Sequence, residues 1–527
     1  MPPPYTWLET AEVRSILTKC SHNVSVTPIP RPQTIVYGDG AFELGPETGV
    51  RGPHRLTALA RRYLGPPTGF GFMDGGTGVA MGIDASLPEE GYRLRVDADG
   101  VHVWAGDEAG AVYGVQTLIQ LLPPDIHRRA PLVGRQWSVP FVTIEDAPRF
   151  SWRGSHLDVS RHIMPKDFLF RFVDLLALHK LNVFHLHLTD DQGWRFESLR
   201  YPRLTEVASL RRETQGDGTP HGGFYSQDDL RELVAYAATR AITIVPEIDM
   251  PGHMQAAVAA YPNLGNDSAH PIEVATTFGI KKHVLNFEEG TLRFCEDILG
   301  EVTDVFPGTA VHIGGDECPT AQWEASARAR VRMRELGIDE IDQVQRWITG
   351  RLARFLAERG RRLVGWDEII DAGPVPGTLV MSWRGVGPGV RAARMGQDVI
   401  MAPNVPTYFD YPNAPNEPVA RRGCNTLDMV AGFEPVPPEL DDEARARVIG
   451  TQCQLWTEHM PTVREVEYMA FPRISAFAEA AWTQAERRDS ADLLHRVDAH
   501  LARLDVLGVG YRPPAGPRPW QRQGGPA

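Results

Sequence analysis

The run His312-Ile313-Gly314-Gly315-Asp316-Glu317 sets two adjacent carboxylates directly behind two glycines. Neighbouring acids repel, which raises the proton affinity of one and separates their roles. Such a pair can present a neutral general acid beside an ionised partner. Glycines at that point remove side chains and let backbone or ligand approach closely. A second candidate is His185-Leu186-His187, two imidazoles on one face of a strand. With His253, His312 and several aspartates it has the donor types of a metal site. That strand continues through Leu188-Thr189-Asp190, so the imidazoles fall below its end. They read better as a hydrogen-bonded core pair, and no metal or organic cofactor is expected.

These residues need a frame that gathers them. Eight strand-like apolar runs occupy Trp152–Ser160, Val183–Asp191, Ile242–Asp249, Ala310–Glu317, Arg362–Asp367, Thr378–Trp383, Asp398–Pro403 and Val448–Trp456. Helical stretches are readable at 165–180, 226–240, 289–305 and 340–359, the second opened by Ser226 with Asp229 three residues on. Strand–helix alternation with near-continuous apolar runs predicts a parallel (β/α)8 TIM barrel of the α/β class, over 148–508. Active residues then belong at the strand C-termini. The run endings there hold Asp158, Arg161, Asp190, Asp191, Glu247, Asp249, Asp316, Glu317, Asp367, Glu368, Trp383, Trp456 and Glu458.

Ahead of the barrel, Tyr92–Val96 and Val101–Ala105 alternate around Asp97-Ala98-Asp99-Gly100, a hairpin signal. A helix follows over 107–122 with Asp107 placed to cap it, and Thr34–Tyr37 reads as another strand. A small α+β companion domain over 23–147 fits, preceded by an extension over 1–22. The tail over 509–527 is Pro/Gly-rich, and its last sixteen residues, 512–527, are expected to be disordered. The five cysteines lack a C-x-x-C pattern and read as incidental thiols, with a Cys424–Cys453 bridge left open. The formal charge, 54 − 67 = −13, argues against nucleic acid as a partner, and no apolar run is long enough to span a membrane. The start, MPPPYTWLETAEVRS, lacks signal-peptide features, so a cytoplasmic location is expected, or a secreted one if a signal was removed. No subunit number is read from the chain.

The His312–Glu317 run resembles the signature of glycoside hydrolase family 20, the β-N-acetylhexosaminidases. So do Arg153-Gly154 with Leu157–His162, His187–Arg195, Glu247–His253 and Gln454–Glu458, all in the family's order, while 89–124 looks like the family's companion domain. Gly-Gly-Asp-Glu also occurs in diguanylate cyclases, but there an aromatic residue follows, whereas Cys318-Pro319 follow here. The resemblance implies an exo-acting, retaining enzyme that removes terminal β-linked GlcNAc or GalNAc from an oligosaccharide. The substrate's own acetamide would serve as nucleophile through an oxazolinium ion.

By the same resemblance Glu317 is the general acid and Asp316 accepts the acetamide N–H. Tyr408 donates to the acetamide oxygen, and Asp190 with His253 supports Glu317. Arg161, Asp410 and Glu458 would hold sugar hydroxyls. Trp347, Trp366 and Trp456, with Trp383 as a weaker candidate, would wall the acetamide and pyranose. Two alternatives stand beside this reading. One is a metal-dependent amidohydrolase removing N-acetyl groups, although that family's histidine pair ends the first barrel strand rather than lying within the second. The other is a catalytically silent carbohydrate-binding barrel, against which the intact Asp316, Glu317 and Tyr408 argue.

Overall fold

The computed structural model describes residues 27–415, 417, 423–518 and 521, so the extension over 1–22, with Cys20, lies outside the described residues. The first unit is a six-stranded mixed sheet of β1 (Thr34–Leu44), β2 (Gly49–Arg51), β3 (Gly78–Ile83), β4 (Tyr92–Asp97), β5 (Gly100–Ala105) and β6 (Trp137–Asp146), in the order β1-β6-β4-β5-β3-β2. The expected hairpin is β4–β5, closed at Asp97 and Gly100. Two helices pack on the sheet, α1 (His54–Thr68) and α2 (Glu108–Leu121). Asp107 caps α2 by accepting from Gly110 N–H at 2.8 Å, and every residue from Gly110 to Leu121 is buried.

The second unit is a closed eight-stranded parallel barrel. Its strands are β7 (Trp152–Asp158), β8 (Val183–His187), β9 (Thr243–Glu247), β10 (Ala310–His312), β11 (Arg362–Trp366), β12 (Leu379–Ser382), β13 (Asp398–Met401) and β14 (Val448–Cys453). Each falls inside one of the eight apolar runs. The expected helices appear as α3 (Lys166–Leu178), α4 (Gln227–Ala238), α5 (Glu289–Val305) and α6 (Gln343–Ala357). Ser226 and Asp229 form the expected capping box on α4.

The strands stop short of the polar ends of their runs, and the reasons are local. In β10 the chain leaves the sheet at His312 because Gly314 and Gly315 take φ of 68° and 93°, which only glycine adopts cheaply. After β8, Thr189–Asp190 pairs back on Gly193–Trp194 as a two-residue hairpin, which turns Asp190 over the barrel mouth. After β14, Gln454 bridges to Tyr408, which ties the Tyr408 loop beside Trp456.

The two units meet through charges that are buried or, for Glu90, half-buried. Arg153 on β7 pairs with Glu90 at 2.8 Å and lies 5.0 Å over the Trp482 ring. Lys180 pairs with Asp146 at 3.0 Å, and both side chains are fully buried. Asp146 also accepts from Tyr92 Oη at 2.6 Å and from Trp482 Nε1 at 3.0 Å. A small domain docked by satisfied buried ions has a fixed orientation on the barrel, because separating them would strand charge away from water.

The described start of the C-terminal tail is tied to the barrel: Tyr511 is buried, Gly510 N–H donates to Glu467 at 2.7 Å, and Arg512 pairs with Glu417 at 2.5 Å. Apolar and charged anchors inside the Pro/Gly-rich stretch hold it down. Cys424 and Cys453 are both free thiols and form no bridge.

Candidate active site

Asp316 and Glu317 lie just beyond β10 on the loop that Gly314 and Gly315 make possible. A Cβ on Gly314 would stand 1.8 Å from Asp249 Oδ1, so the glycine is needed for space as well as for φ. Asp249 in turn accepts from Gly315 N–H at 3.2 Å. Glu317 and His253 themselves hold left-handed φ of 46° and 52°. Non-glycine residues adopt that conformation at a cost, and such residues cluster at functional sites.

The two acids share one imidazole. His253 Nε2 stands 3.7 Å from Asp316 Oδ2 and 3.7 Å from Glu317 Oε2. Its other nitrogen, Nδ1, lies 3.2 Å from Asp190 Oδ1. Asp190 Oδ2 pairs with Arg161 Nη2 at 2.7 Å. Arg161 also donates through Nε to Gln192 at 3.1 Å and pairs with Asp158 at 3.3 Å. The sequence singles out Asp190, His253 and Arg161, but not that Gln192 and Asp158 are the partners of Arg161.

Burial sets the charge states. Burial raises Asp316 to about 6 against the opposing pull of His253, with Glu247 and Glu317 adding to the rise. One oxygen of Asp316, Oδ1, is buried with no hydrogen-bond partner among the described residues. Burial would also lift Asp190, but Arg161 and His253 outweigh it and hold that carboxyl well below the usual range. His253 shifts upward in spite of burial, because Asp190 and Asp249 face it. Asp249 rises well above its usual range through burial and the nearby Asp316 charge. Tyr408 is pushed far up by burial, then by Asp316, and stays a neutral hydroxyl donor.

Aromatic side chains wall the space beside these acids. Trp383 and Tyr408 stack at 6.1 Å with an 18° interplanar angle. Trp456 stands 6.3 Å from Tyr408 and 5.8 Å from Trp366. Arg161 lies 5.0 Å over the Trp456 ring, and its charge is stabilised by Asp190, Asp158 and Glu458. Asp410 is buried on the Tyr408 loop. Trp366 donates its indole N–H to Glu247 at 3.0 Å, and Trp383 donates to Glu368 at 2.9 Å. Burial and Asp316 raise Glu368 to about 8. A cavity of about 740 Å³ opens from the outer side of Glu317, lined by Arg346, Glu368 and Arg384 among others.

Trp347 does not join this cluster. It sits on α6, packs against the outer layer of the barrel core and lines a surface groove with Leu336, Arg351 and Val375. An i, i+4 helical position faces the barrel's helical coat, whereas the pocket is built from strand ends. Trp383, the weaker candidate, is the tryptophan that shares the pocket with Trp366 and Trp456.

His185 and His187 are completely buried under this floor with His156 and His312. Groups such as His185, Glu247 and His312 have donor atoms within 4.8 Å of one another and could hold a metal ion. Their geometry already serves as a hydrogen-bonded core. His187 Nδ1 is 2.6 Å from Glu247 Oε2, His185 Nε2 is 3.0 Å from the same oxygen, and His187 Nε2 is 3.0 Å from Asp190.

The comparisons agree with this geometry. Residues 150–485 match the glycosyl hydrolase family 20 catalytic domain, and residues 26–147 match domain 2 of that family. A beta-hexosaminidase of Porphyromonas gingivalis is 39% identical over 516 residues, which cover 94% of this chain and 66% of that protein. The exo beta-N-acetylglucosaminidase of Vibrio harveyi, solved with N-acetylglucosamine, superposes with a TM-score of 0.83 at 31% identity, covering 93% of this chain and 80% of that one. The beta-N-acetylhexosaminidase of Streptomyces coelicolor A3(2) superposes with a TM-score of 0.82 at 32% identity, covering 93% and 98%. The chain therefore belongs to glycosyl hydrolase family 20 and is a glycoside hydrolase of the β-N-acetylhexosaminidase kind.

Proposed function

We propose that the protein is an exo-acting, retaining β-N-acetylhexosaminidase that removes terminal β-linked GlcNAc or GalNAc from oligosaccharides, with the substrate's acetamide as nucleophile. The observation that carries this reading is the placement of both Asp316 and Glu317 at 3.7 Å from one imidazole nitrogen, His253 Nε2. Beside them Trp366, Trp383, Tyr408 and Trp456 form one aromatic cluster, the kind of surface on which an acetamido sugar packs. Two-carboxylate glycosidases need a second enzyme carboxylate as nucleophile or water base, whereas this family uses the substrate instead.

In the first step the acetamide oxygen attacks the anomeric carbon. The bond to the leaving oxygen breaks as Glu317 delivers its proton to that oxygen. Asp316, ionised and carrying an unengaged Oδ1, accepts the acetamide N–H and stabilises the positive charge of the oxazolinium ion. Tyr408 donates its hydroxyl to the acetamide oxygen. In the second step Glu317 takes a proton from water, and the hydroxide opens the ring at the anomeric carbon. Two inversions leave net retention. The aromatic walls fix the acetamide in line, and intramolecular attack then gains its high effective molarity.

Arg161, Asp410 and Glu458 hold the hydroxyls at the closed end, and the cavity outside Glu317 receives the leaving portion. An aryl β-N-acetylglucosaminide incubated with the protein in EDTA tests the reading. Release of the aryl alcohol is expected with and without the chelator. No release at all would end the hydrolase proposal, and release abolished by EDTA alone would favour a metal enzyme.

A further inference from the structure

Beneath the pocket floor one side chain touches both halves of the site. Glu247 ends β9 and is fully buried. Its Oε1 accepts the Trp366 indole N–H at 3.0 Å and lies 3.0 Å from His312 Nδ1. Its Oε2 stands 2.6 Å from His187 Nδ1 and 3.0 Å from His185 Nε2. His185 is fixed from behind, since Gln452 donates to its Nδ1 at 2.9 Å, which leaves the proton on Nε2, 3.0 Å from Glu247 Oε2. From His187 the contacts continue upward through Nε2 to Asp190 at 3.0 Å. Asp190 then divides, to His253 at 3.2 Å and to Arg161 at 2.7 Å.

We infer that Glu247 is a positioning residue for the reaction, acting through two branches. One runs through Trp366 to the acetamide wall; the other runs through His187 and Asp190 to His253 behind Glu317. The inference rests on the glycosidase reading above and deepens it. None of these contacts reaches substrate, so Glu247 is not itself catalytic. A buried carboxylate that receives several donors is costly unless each is satisfied, and this one orders ring planes from three different strands. Burial would raise its proton affinity, but His312, His187 and His185 hold it well below the usual carboxylate range, so it stays an acceptor for the Trp366 and His187 N–H groups. The same logic governs outer-layer partners that orient a ligating or reacting group.

The test uses the full chain with aryl β-N-acetylglucosaminides and an N-acetyl thiazoline inhibitor. Glu247→Gln keeps the shape but, whichever way the amide turns, sets an N–H2 against at least one ring N–H group. It should lower kcat at least tenfold and weaken thiazoline binding at least tenfold. Each branch is read separately. Trp366→Phe, which removes the indole donor and keeps a ring, should raise KM and the inhibition constant more than it lowers kcat. His187→Asn should lower kcat more than it raises KM. The double variant Glu247→Gln with His187→Asn should lose no more kcat than the worse single variant.

Additive losses, or a Glu247→Gln protein with a lower Tm but the wild-type kcat and KM, would overturn the inference. If Glu247→Gln does not fold, equal effects on kcat and KM in both His187→Asn and Trp366→Phe would overturn it instead. A wild-type protein inactive on the aryl substrate would mark failure of the glycosidase reading, not of this one.

Discussion

Asp249 Oδ1 occupies the space that a side chain on Gly314 would need, with a Cβ there only 1.8 Å away. The glycine and the carboxylate are therefore one unit, and Gly315 N–H, bonded to Asp249 at 3.2 Å, belongs to it. Gly314→Ala combines that clash with a left-handed φ of 68°. It should cost about 2–4 kcal/mol of stability and move Asp316, with kcat/KM falling at least tenfold. Denaturant unfolding alongside steady-state kinetics checks it; a variant with unchanged values in both would show that the loop tolerates a side chain.

The pH profile follows from Asp316, which burial raises to about 6. Only its ionised form accepts the acetamide N–H. Its contribution is therefore present above about pH 6 and lost as pH falls through that value. An acid limb of kcat/KM near pH 6 is expected, with Asp316→Asn lacking that limb and running about 10²–10³-fold slower even on activated substrates. A wild-type profile flat from pH 5 to 7 would contradict the assignment.

Glu317→Gln removes the proton donor and nothing else from the first step. Turnover should fall by about 10²–10⁴-fold on substrates with poor leaving groups and far less on nitrophenyl or dinitrophenyl substrates. A series of aryl leaving groups measures this as a steeper dependence on leaving-group pKa. The same slope as the wild type would remove Glu317 from the acid role.

Among the tryptophans, the distinction is between strand ends and helix faces. Trp383→Ala removes a ring stacked on Tyr408 at 6.1 Å and should lower kcat/KM about tenfold or more. Trp347→Ala, on the outer face of the barrel, should act on kcat/KM much less than Trp383→Ala and show mainly in Tm. Kinetics of both variants on one substrate decide it, and a larger kinetic loss for Trp347→Ala would reverse the assignment.

Asp146→Asn tests how the companion domain is held. It leaves fully buried Lys180 without its anion and weakens acceptance from Tyr92 and Trp482. A loss of about 3–5 kcal/mol is expected in urea unfolding. A loss below 1 kcal/mol would mean that the ion pair does not hold the interface.

Most of the frame was legible in the sequence because strand periodicity and caps are local signals. The β4–β5 hairpin, the Asp107 cap, the Ser226–Asp229 box and all eight barrel strands follow from short-range patterns. Strand ends also located the acid pair, Asp190 and Arg161, while the role of His253 came from the family resemblance. What the sequence could not convey is which partner each residue meets across the barrel. Glu247, Asp249 and Glu368 stood at run endings as undistinguished acids, and only closure of the barrel brings Glu247 to Trp366 and Glu368 to Trp383. Trp347 misled because its neighbourhood in sequence says nothing about which side of α6 faces outward. In the tail, Pro/Gly composition says nothing of Arg512 as an anchor to Glu417, a partner 95 residues away.

The central claim is that the substrate's acetamide, held between Asp316, Tyr408 and the tryptophan walls, is the nucleophile. The most direct measurement is kcat/KM on aryl β-glucosaminides whose N-acetyl group carries zero, one, two or three fluorines. Fluorine withdraws electrons from the carbonyl oxygen, so the account predicts a steep, progressive fall in rate along the series. Rates that stay level across the four substrates would contradict it.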